Sequence, residues 1–165
     1  MKKTNFLILV IILASFSIGI AAQDAQAIFD RGLDQFNSKH FEDAIQSFKQ
    51  YLVKVPNDSG AFYNLALSYD RLGRSDDAVS YFKEAIRVKP DYASAFYSMG
   101  NVYYGLERYT EAAAAYKDAV RVKPDYVDAY IYLGNSLDYL HQYNESIAAY
   151  VKATEMAPNN AHAFY

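Results

Sequence analysis

The sequence predicts an all-helical solenoid built from stacked helix–turn–helix units, and three observations lead there. The chain has only four prolines, Pro56, Pro90, Pro124 and Pro158, each 34 residues after the last. The hexapeptide RVKPDY stands at Arg87–Tyr92 and again at Arg121–Tyr126, with the same offset. Between the prolines, apolar residues recur at the spacing of one helix face. A fixed period of this length marks stacked repeats, none of which can bury its apolar face alone.

Composition narrows the function. The 165 residues carry a net charge of −3, which argues against the basic face that nucleic-acid binding requires. Cysteine is absent, so disulfides, thiolate metal sites and cysteine nucleophiles are excluded together. Seven glycines and four prolines are too few for a disordered, low-complexity chain. Tyrosine is the unusual residue, with 17 copies against no tryptophan.

Residues 1–22 read as a secretory signal peptide. Lys2 and Lys3 form a basic end, Phe6 to Ile20 is almost wholly apolar, and small residues follow. Cleavage after Ala21 or Ala22 fits the small-residue rule, and Ala27 ends a second match, AQA. The rival reading is an uncleaved membrane anchor, for which the apolar run is short of the ~20 residues that span a bilayer. Loss of Lys2 and Lys3 with the signal leaves 14 basic and 19 acidic side chains.

Alignment on the prolines gives four units, 25–58, 59–92, 93–126 and 127–160. In the second, Phe62, Leu65, Ala66 and Tyr69 mark one helix, and Ala78, Phe82, Ala85 and Ile86 another. Between them Gly73 is placed to end the first helix and Ser75 to cap the second. Pro90 stops that helix, and Asp91 is placed to cap the next. Small residues share registers: Gly32, Ala66, Gly100 and Gly134 in first helices, Ala44, Ala78, Ala112 and Ser146 in second helices. They let helix axes approach closely, while Phe48, Phe82, Tyr116 and Tyr150 fill the holes beside them. Tyr69, Tyr103, Tyr116 and Tyr150 read as core.

These residues resemble the tetratricopeptide repeat family, whose pattern is an aromatic, Leu-Gly, Tyr, Ala, Phe, Ala and Pro at set offsets. The second unit matches throughout, and the third with Phe96, Met99, Gly100, Tyr103, Ala112, Tyr116, Ala119 and Pro124. The fourth departs mildly at Leu137 and Ser146. The first departs most, with Ile28, Arg31, Gln35 and Tyr51, as an atypical terminal repeat would. The resemblance implies a right-handed superhelical α-solenoid. Ala161–Tyr165 copies the start of a first helix, so the sequence is expected to be a fragment that stops inside a fifth repeat.

No catalytic set is visible, and no cofactor or metal is expected. His40, His141 and His162 are the only histidines, and His40 and His141 sit in distant turns. Asp76 and Asp77 read as helix-start residues, and Arg87, Lys89, Arg121 and Lys123 as solvated helix ends. A protein or peptide partner remains. The resemblance places its groove along the first helices. The second unit would supply Tyr63, Asn64 and Asp70, the third Tyr97, Asn101 and Tyr104. The fourth would supply Asp128, Tyr132, Asn135 and Asp138. Tyrosine gives contact area with a polar tip at low entropy cost, and asparagine suits a peptide backbone. The Lys and Arg with which family members clamp a C-terminal carboxylate are replaced here by Tyr, Asn, Ser and Asp. Two alternatives stand beside this module: the interaction part of a longer enzyme or envelope assembly, and a glycan or cell-wall binder.

Overall fold

The structure, a computed structural model, describes residues 23–157. The expected signal peptide, Pro158 and the start of a fifth repeat at 161–165 lie outside the described residues. Within them every regular element is helical. Helix α1 covers 23–37. It is followed by α2 (Phe41–Lys54), α3 (Ser59–Arg71), α4 (Ser75–Val88) and α5 (Ala93–Gly105). Then come α6 (Tyr109–Val122), α7 (Val127–Tyr139) and α8 (Tyr143–Met156). From α2 to α8 each helix packs on its neighbours in sequence, α1 meets α2 through Phe29 against Phe48, and α3 also touches α5, so the helices form a solenoid of pairs. Among the described residues no helix is long and apolar enough to cross a membrane.

All four pairs turn the corner in the same way. After α3, the Gly73 amide donates to the Asp70 carbonyl at 2.9 Å and the Arg74 amide to the Tyr69 carbonyl at 2.9 Å. This pair of bonds is a Schellman closure. It requires a left-handed residue, and Gly73 has φ 70°. The other pairs force Lys39, Glu107 and His141 into that conformation, at φ 58–64°. The closure leaves the next residue, not a serine, at the head of the following helix. Ser75 is therefore inside α4, and Arg74 occupies the cap without a side-chain bond. Asp91 fails as a cap as well, because α5 begins at Ala93 behind Tyr92. From α2 to α8 the side-chain cap that forms is Asp58, which accepts from the Ala61 amide at 2.8 Å. Its other carboxylate oxygen accepts from the Tyr51 hydroxyl at 2.9 Å.

The repeated hexapeptide now has an explanation. Arg87 pairs with Glu84 at 2.8 Å, and Arg121 with Asp118 at 2.9 Å, each across one turn. Lys89, Pro90, Asp91 and Tyr92 form a tight turn in which the Tyr92 amide donates to the Lys89 carbonyl at 3.1 Å. Proline pre-sets the backbone of its second residue. The turn brings the Lys89 ammonium over the Tyr92 ring at 5.0 Å, and Lys123 over Tyr126 at 4.8 Å. Tyr92 then packs on Tyr63 at 5.1 Å, and Tyr126 on Tyr97 at 4.9 Å. The motif thus ends one helix and anchors it on the first helix of its own pair.

The core follows the small-residue rows. Ala44, Ala78, Ala112, Ala85, Ala119 and Ala153 are fully buried. A methyl placed on Gly100 would stand 2.6 Å from the Tyr116 ring, and one on Gly32 would stand 2.8 Å from Phe48. Real Cβ atoms essentially never come so close, so a side chain at these glycines would force the ring or the helix to shift. The face of α1 that corresponds to buried Leu65 and Tyr69 is polar instead. Arg31 donates to Ser47 Oγ at 3.1 Å and to Gln50 at 2.8 Å, and Ser47 donates to Gln35 at 2.7 Å. At the other end α8 exposes Ile147 and Val151, whereas Ile45, Val79 and Ala113, in the register of Ile147, are buried under the next pair.

Candidate partner-binding face

The expected groove residues fall on the first helices of the last three pairs, and the tyrosines of the last two meet. Tyr97 on α5 touches Tyr132 on α7 at 6.0 Å. Tyr104 touches Tyr132 at 5.8 Å and Tyr139 at 5.9 Å. Tyr139 stacks flat on Tyr109, with centroids 4.1 Å apart and planes 3° from parallel. Tyr116 on α6 reaches the same group through Tyr97 at 5.8 Å and Tyr132 at 5.9 Å. One continuous aromatic surface therefore joins α5, α6 and α7. Tyr132 and Tyr139 hold 36% and 57% of their surface in solvent, while Tyr97 and Tyr104 are half-buried beneath them.

The asparagines carry a second structural role. The Tyr116 hydroxyl donates to Asn101 Oδ1 at 2.7 Å, and 34 residues later the Tyr150 hydroxyl donates to Asn135 Oδ1 at 2.7 Å. Each carbonyl oxygen thus accepts one bond within the chain and keeps a second lone pair beside its amide N–H groups. Asn64 uses its amide nitrogen on the Gly60 carbonyl at 2.9 Å. Tyr63 is tied to Ser98 through its hydroxyl at 3.2 Å, with its ring against Phe82 at 5.7 Å. Tyr63 and Asn64 thus each make a contact within the scaffold and stay partly exposed. Asp128 is exposed at the start of α7.

The electrostatics of this face follow from burial. Removal from water pushes the Tyr97 phenol up to about 12, with hydrogen bonding to Asn101 opposing it. Tyr104 rises to about 12 through burial and the neighbouring Tyr139. Burial drives Tyr116 further in the same direction. The face is therefore uncharged at its aromatic centre at neutral pH. Its formal charge is acidic, from Asp70, Asp128 and Asp138. Burial raises the Asp70 carboxyl, and Arg71, 3.6 Å away, opposes that shift.

Of the four expected core tyrosines, Tyr69, Tyr103 and Tyr116 are buried. Tyr150 is half-buried instead. It lines an open concavity of about 720 Å³ beside Asn135, Asp138, Tyr139 and Tyr143. Its hydroxyl lies 3.2 Å from Asp138 Oδ2 as well as on Asn135. This hollow is not expected from the sequence, nor is the part played by Tyr109, whereas Tyr139 falls at an expected groove position. His141 sits at its rim, with Nδ1 2.9 Å from the Tyr143 hydroxyl, while His40 lies in the first pair's turn. No group of acidic and histidine residues among the described residues could hold a metal ion.

Models of the tetratricopeptide repeat match the chain at residues 29–95, 100–137 and 127–160, leaving only 96–99 unmatched in between. No curated protein sequence matches it. Solved structures share the fold. MamA residues 41 to the end, from Desulfovibrio magneticus RS-1, is 23% identical over 84% of this chain and 78% of its own, with a TM-score of 0.77. YrrB, described as having an unusual peptide-binding site, is 22% identical over 92% and 78%, with a TM-score of 0.76. The first repeat domain of Spaghetti (RPAP3), solved with the HSP90 peptide SRMEEVD, is 22% identical over 72% and 94%, with a TM-score of 0.68.

Proposed function

We propose that this chain, which belongs to the tetratricopeptide repeat family, is a non-enzymatic interaction module that holds a peptide or partner-protein segment on the tyrosine face of α5 and α7. The observation that carries the reading is the continuous aromatic surface from Tyr97 to Tyr139, with Tyr132 and Tyr139 left open. Large rings held rigid by other rings lose little entropy on binding. Peptide binding by YrrB and by the RPAP3 domain supports the class of ligand. The peptide itself would differ. The acidic SRMEEVD sequence would meet Asp70, Asp128 and Asp138 here, so a neutral or basic segment is favoured.

The test is a peptide-library selection on the full chain, repeated with Tyr132→Ala plus Tyr139→Ala. Neutral or basic sequences should be enriched and lost with the double substitution. Enrichment of acidic peptides, or binding that survives the substitution, would move the site to another surface.

We also propose export, with cleavage after Ala21 or Ala22. Cleavage after Ala27 would cut α1 and remove Ala25, which is buried near Tyr51 and Ala61. A reporter fused after residue 40 should be active outside the cytoplasm; activity confined to the cytoplasm would contradict this.

A further inference from the structure

We propose that Tyr109 and Tyr139 are an oxidative crosslinking site, at which a one-electron oxidant joins the two phenols as dityrosine and staples α6 to α7. The inference is independent of the partner-binding reading.

The contact is internal to the solenoid. Tyr109 is the first residue of α6 and Tyr139 the last of α7, and these helices pack directly on each other. Their rings lie face to face, with centroids 4.1 Å apart and planes 3° from parallel. Burial raises the Tyr109 phenol, and the next cause is the Tyr139 hydroxyl, so the hydroxyl ends of the two rings lie together. The ring carbons beside each hydroxyl, where a phenoxyl radical carries spin, are therefore stacked over one another.

Other tyrosine pairs come nearly as close. Tyr97 meets Tyr126 at 4.9 Å, Tyr63 meets Tyr92 at 5.1 Å and Tyr69 meets Tyr81 at 5.3 Å. Each of these carries a cation on one ring: Lys123 over Tyr126, Lys89 over Tyr92, and Arg74 with Lys49 over Tyr69. Taking an electron from a ring beside a fixed positive charge is opposed by Coulomb repulsion. Tyr109 has the Glu107 carboxylate nearby instead, which favours the electron-poor ring. Tyr104 touches both members of the pair, Tyr109 at 5.4 Å and Tyr139 at 5.9 Å. Through Tyr132 and Tyr97 the chain of rings continues in steps no longer than 6.0 Å, so an electron vacancy formed along it can pass to the pair. The sequence has no cysteine or tryptophan to take it.

The chemistry balances as follows. Each phenol loses one electron to the oxidant and one proton to solvent. The two phenoxyl radicals form a carbon–carbon bond between the ring carbons next to the hydroxyls. The hydrogens on those carbons then move to the oxygens through solvent, which restores both phenols. Two equivalents of oxidant are reduced, as when one hydrogen peroxide is spent at a haem and leaves as two waters. Rings already held in contact couple within the chain before a second chain can arrive.

The experiment exposes the dilute full chain to light-generated ruthenium(III) tris-bipyridyl, a small one-electron oxidant. Dityrosine fluorescence should rise in chains that stay single, with a mass lower by two hydrogens. Tandem mass spectrometry of the digest should place the bond between Tyr109 and Tyr139. Tyr109→Phe and Tyr139→Phe keep the stacked rings, and each should cut the yield within single chains at least fivefold with helical circular dichroism unchanged. In denaturant the same bond should form several-fold less. A yield that neither substitution lowers, or one equal in denaturant, would overturn the proposal. So would a dominant bond at Tyr69–Tyr81, Tyr63–Tyr92 or Tyr97–Tyr126, dityrosine that joins only separate chains, or oxidation without dityrosine.

Discussion

The first two helix pairs and the last two share one backbone plan and differ in how they line it. In the first half, second-helix Phe48 and Phe82 stand in register with first-helix Leu33 and Leu67. In the second half the same places hold Tyr116 and Tyr150 with Asn101 and Asn135, joined by hydroxyl-to-carbonyl bonds of 2.7 Å. The exchange is concerted: each hydroxyl added to a ring comes with an acceptor one helix away. A buried hydroxyl without that acceptor would carry its full desolvation cost. The lesson is that the packing code fixes the solenoid, while a paired polar substitution within it gives one half an amphipathic inner face without disturbing the helices.

Steric probes should show the largest effects. Gly100→Leu would drive a side chain into the fully buried Tyr116 ring and should cost ~3 kcal/mol or more in denaturant unfolding. Gly134→Leu meets Tyr150 at the same 2.6 Å, but that ring is half-buried and has room to swing, so the cost should be smaller. Equal costs would show that the two rings are equally confined.

High pH should act on both halves next, because burial and Asp58 hold Tyr51 of the first half up to about 12 as well. An unfolded tyrosine ionises near 10, whereas Tyr97, Tyr104 and Tyr150 are held up to about 12 in the fold. Between those values the unfolded chain binds fewer protons, so stability falls as pH rises; below about pH 10 the contribution is intact. Tyrosinate absorbance and helical circular dichroism should therefore change together above about pH 10. Full tyrosine ionisation with the helices intact would contradict the burial of these phenols.

The paired exchange itself can be reversed. Tyr116→Phe leaves the Asn101 acceptor unused and should cost ~1 kcal/mol. Adding Asn101→Leu copies the first half and should return the thermal midpoint close to its original value. A double variant that loses more than the single one would break the comparison.

The smallest effect concerns the turns. Gly73 meets the left-handed corner without strain, while Glu107 does so at φ 58°. Glu107→Gly should gain at most ~1 kcal/mol, because glycine also frees the unfolded chain. Gly73→Ala should lose a similar amount, measured by thermal unfolding.

Much of this was legible in the sequence. The prolines set the period, the apolar spacing set the helices, and Gly32, Gly100 and Gly134 marked where rings would seat. The caps were not legible, because the Schellman closure fixes the cap by backbone geometry and puts Arg74 there whatever its side chain offers. The tyrosine–asparagine pairs were visible as a change from Phe and Leu along the period. Their meaning required the distance between two helices. Tyr150 is less covered than its counterpart Tyr116 because it lies in the last described pair, whereas Tyr132 of the following helix packs on Tyr116.

The most direct test of the account is the affinity of one selected peptide for three forms of the chain. Tyr132→Ala removes an open ring from the second half, and Asn37→Ala trims the exposed end of α1 in the first. Calorimetric titration should show a tenfold or greater loss for Tyr132→Ala, in line with a buried aromatic anchor worth ~2 kcal/mol. Asn37→Ala should change the affinity less than threefold. Equal losses in both halves, or none at Tyr132, would contradict the claim that the second half's tyrosine face holds the partner.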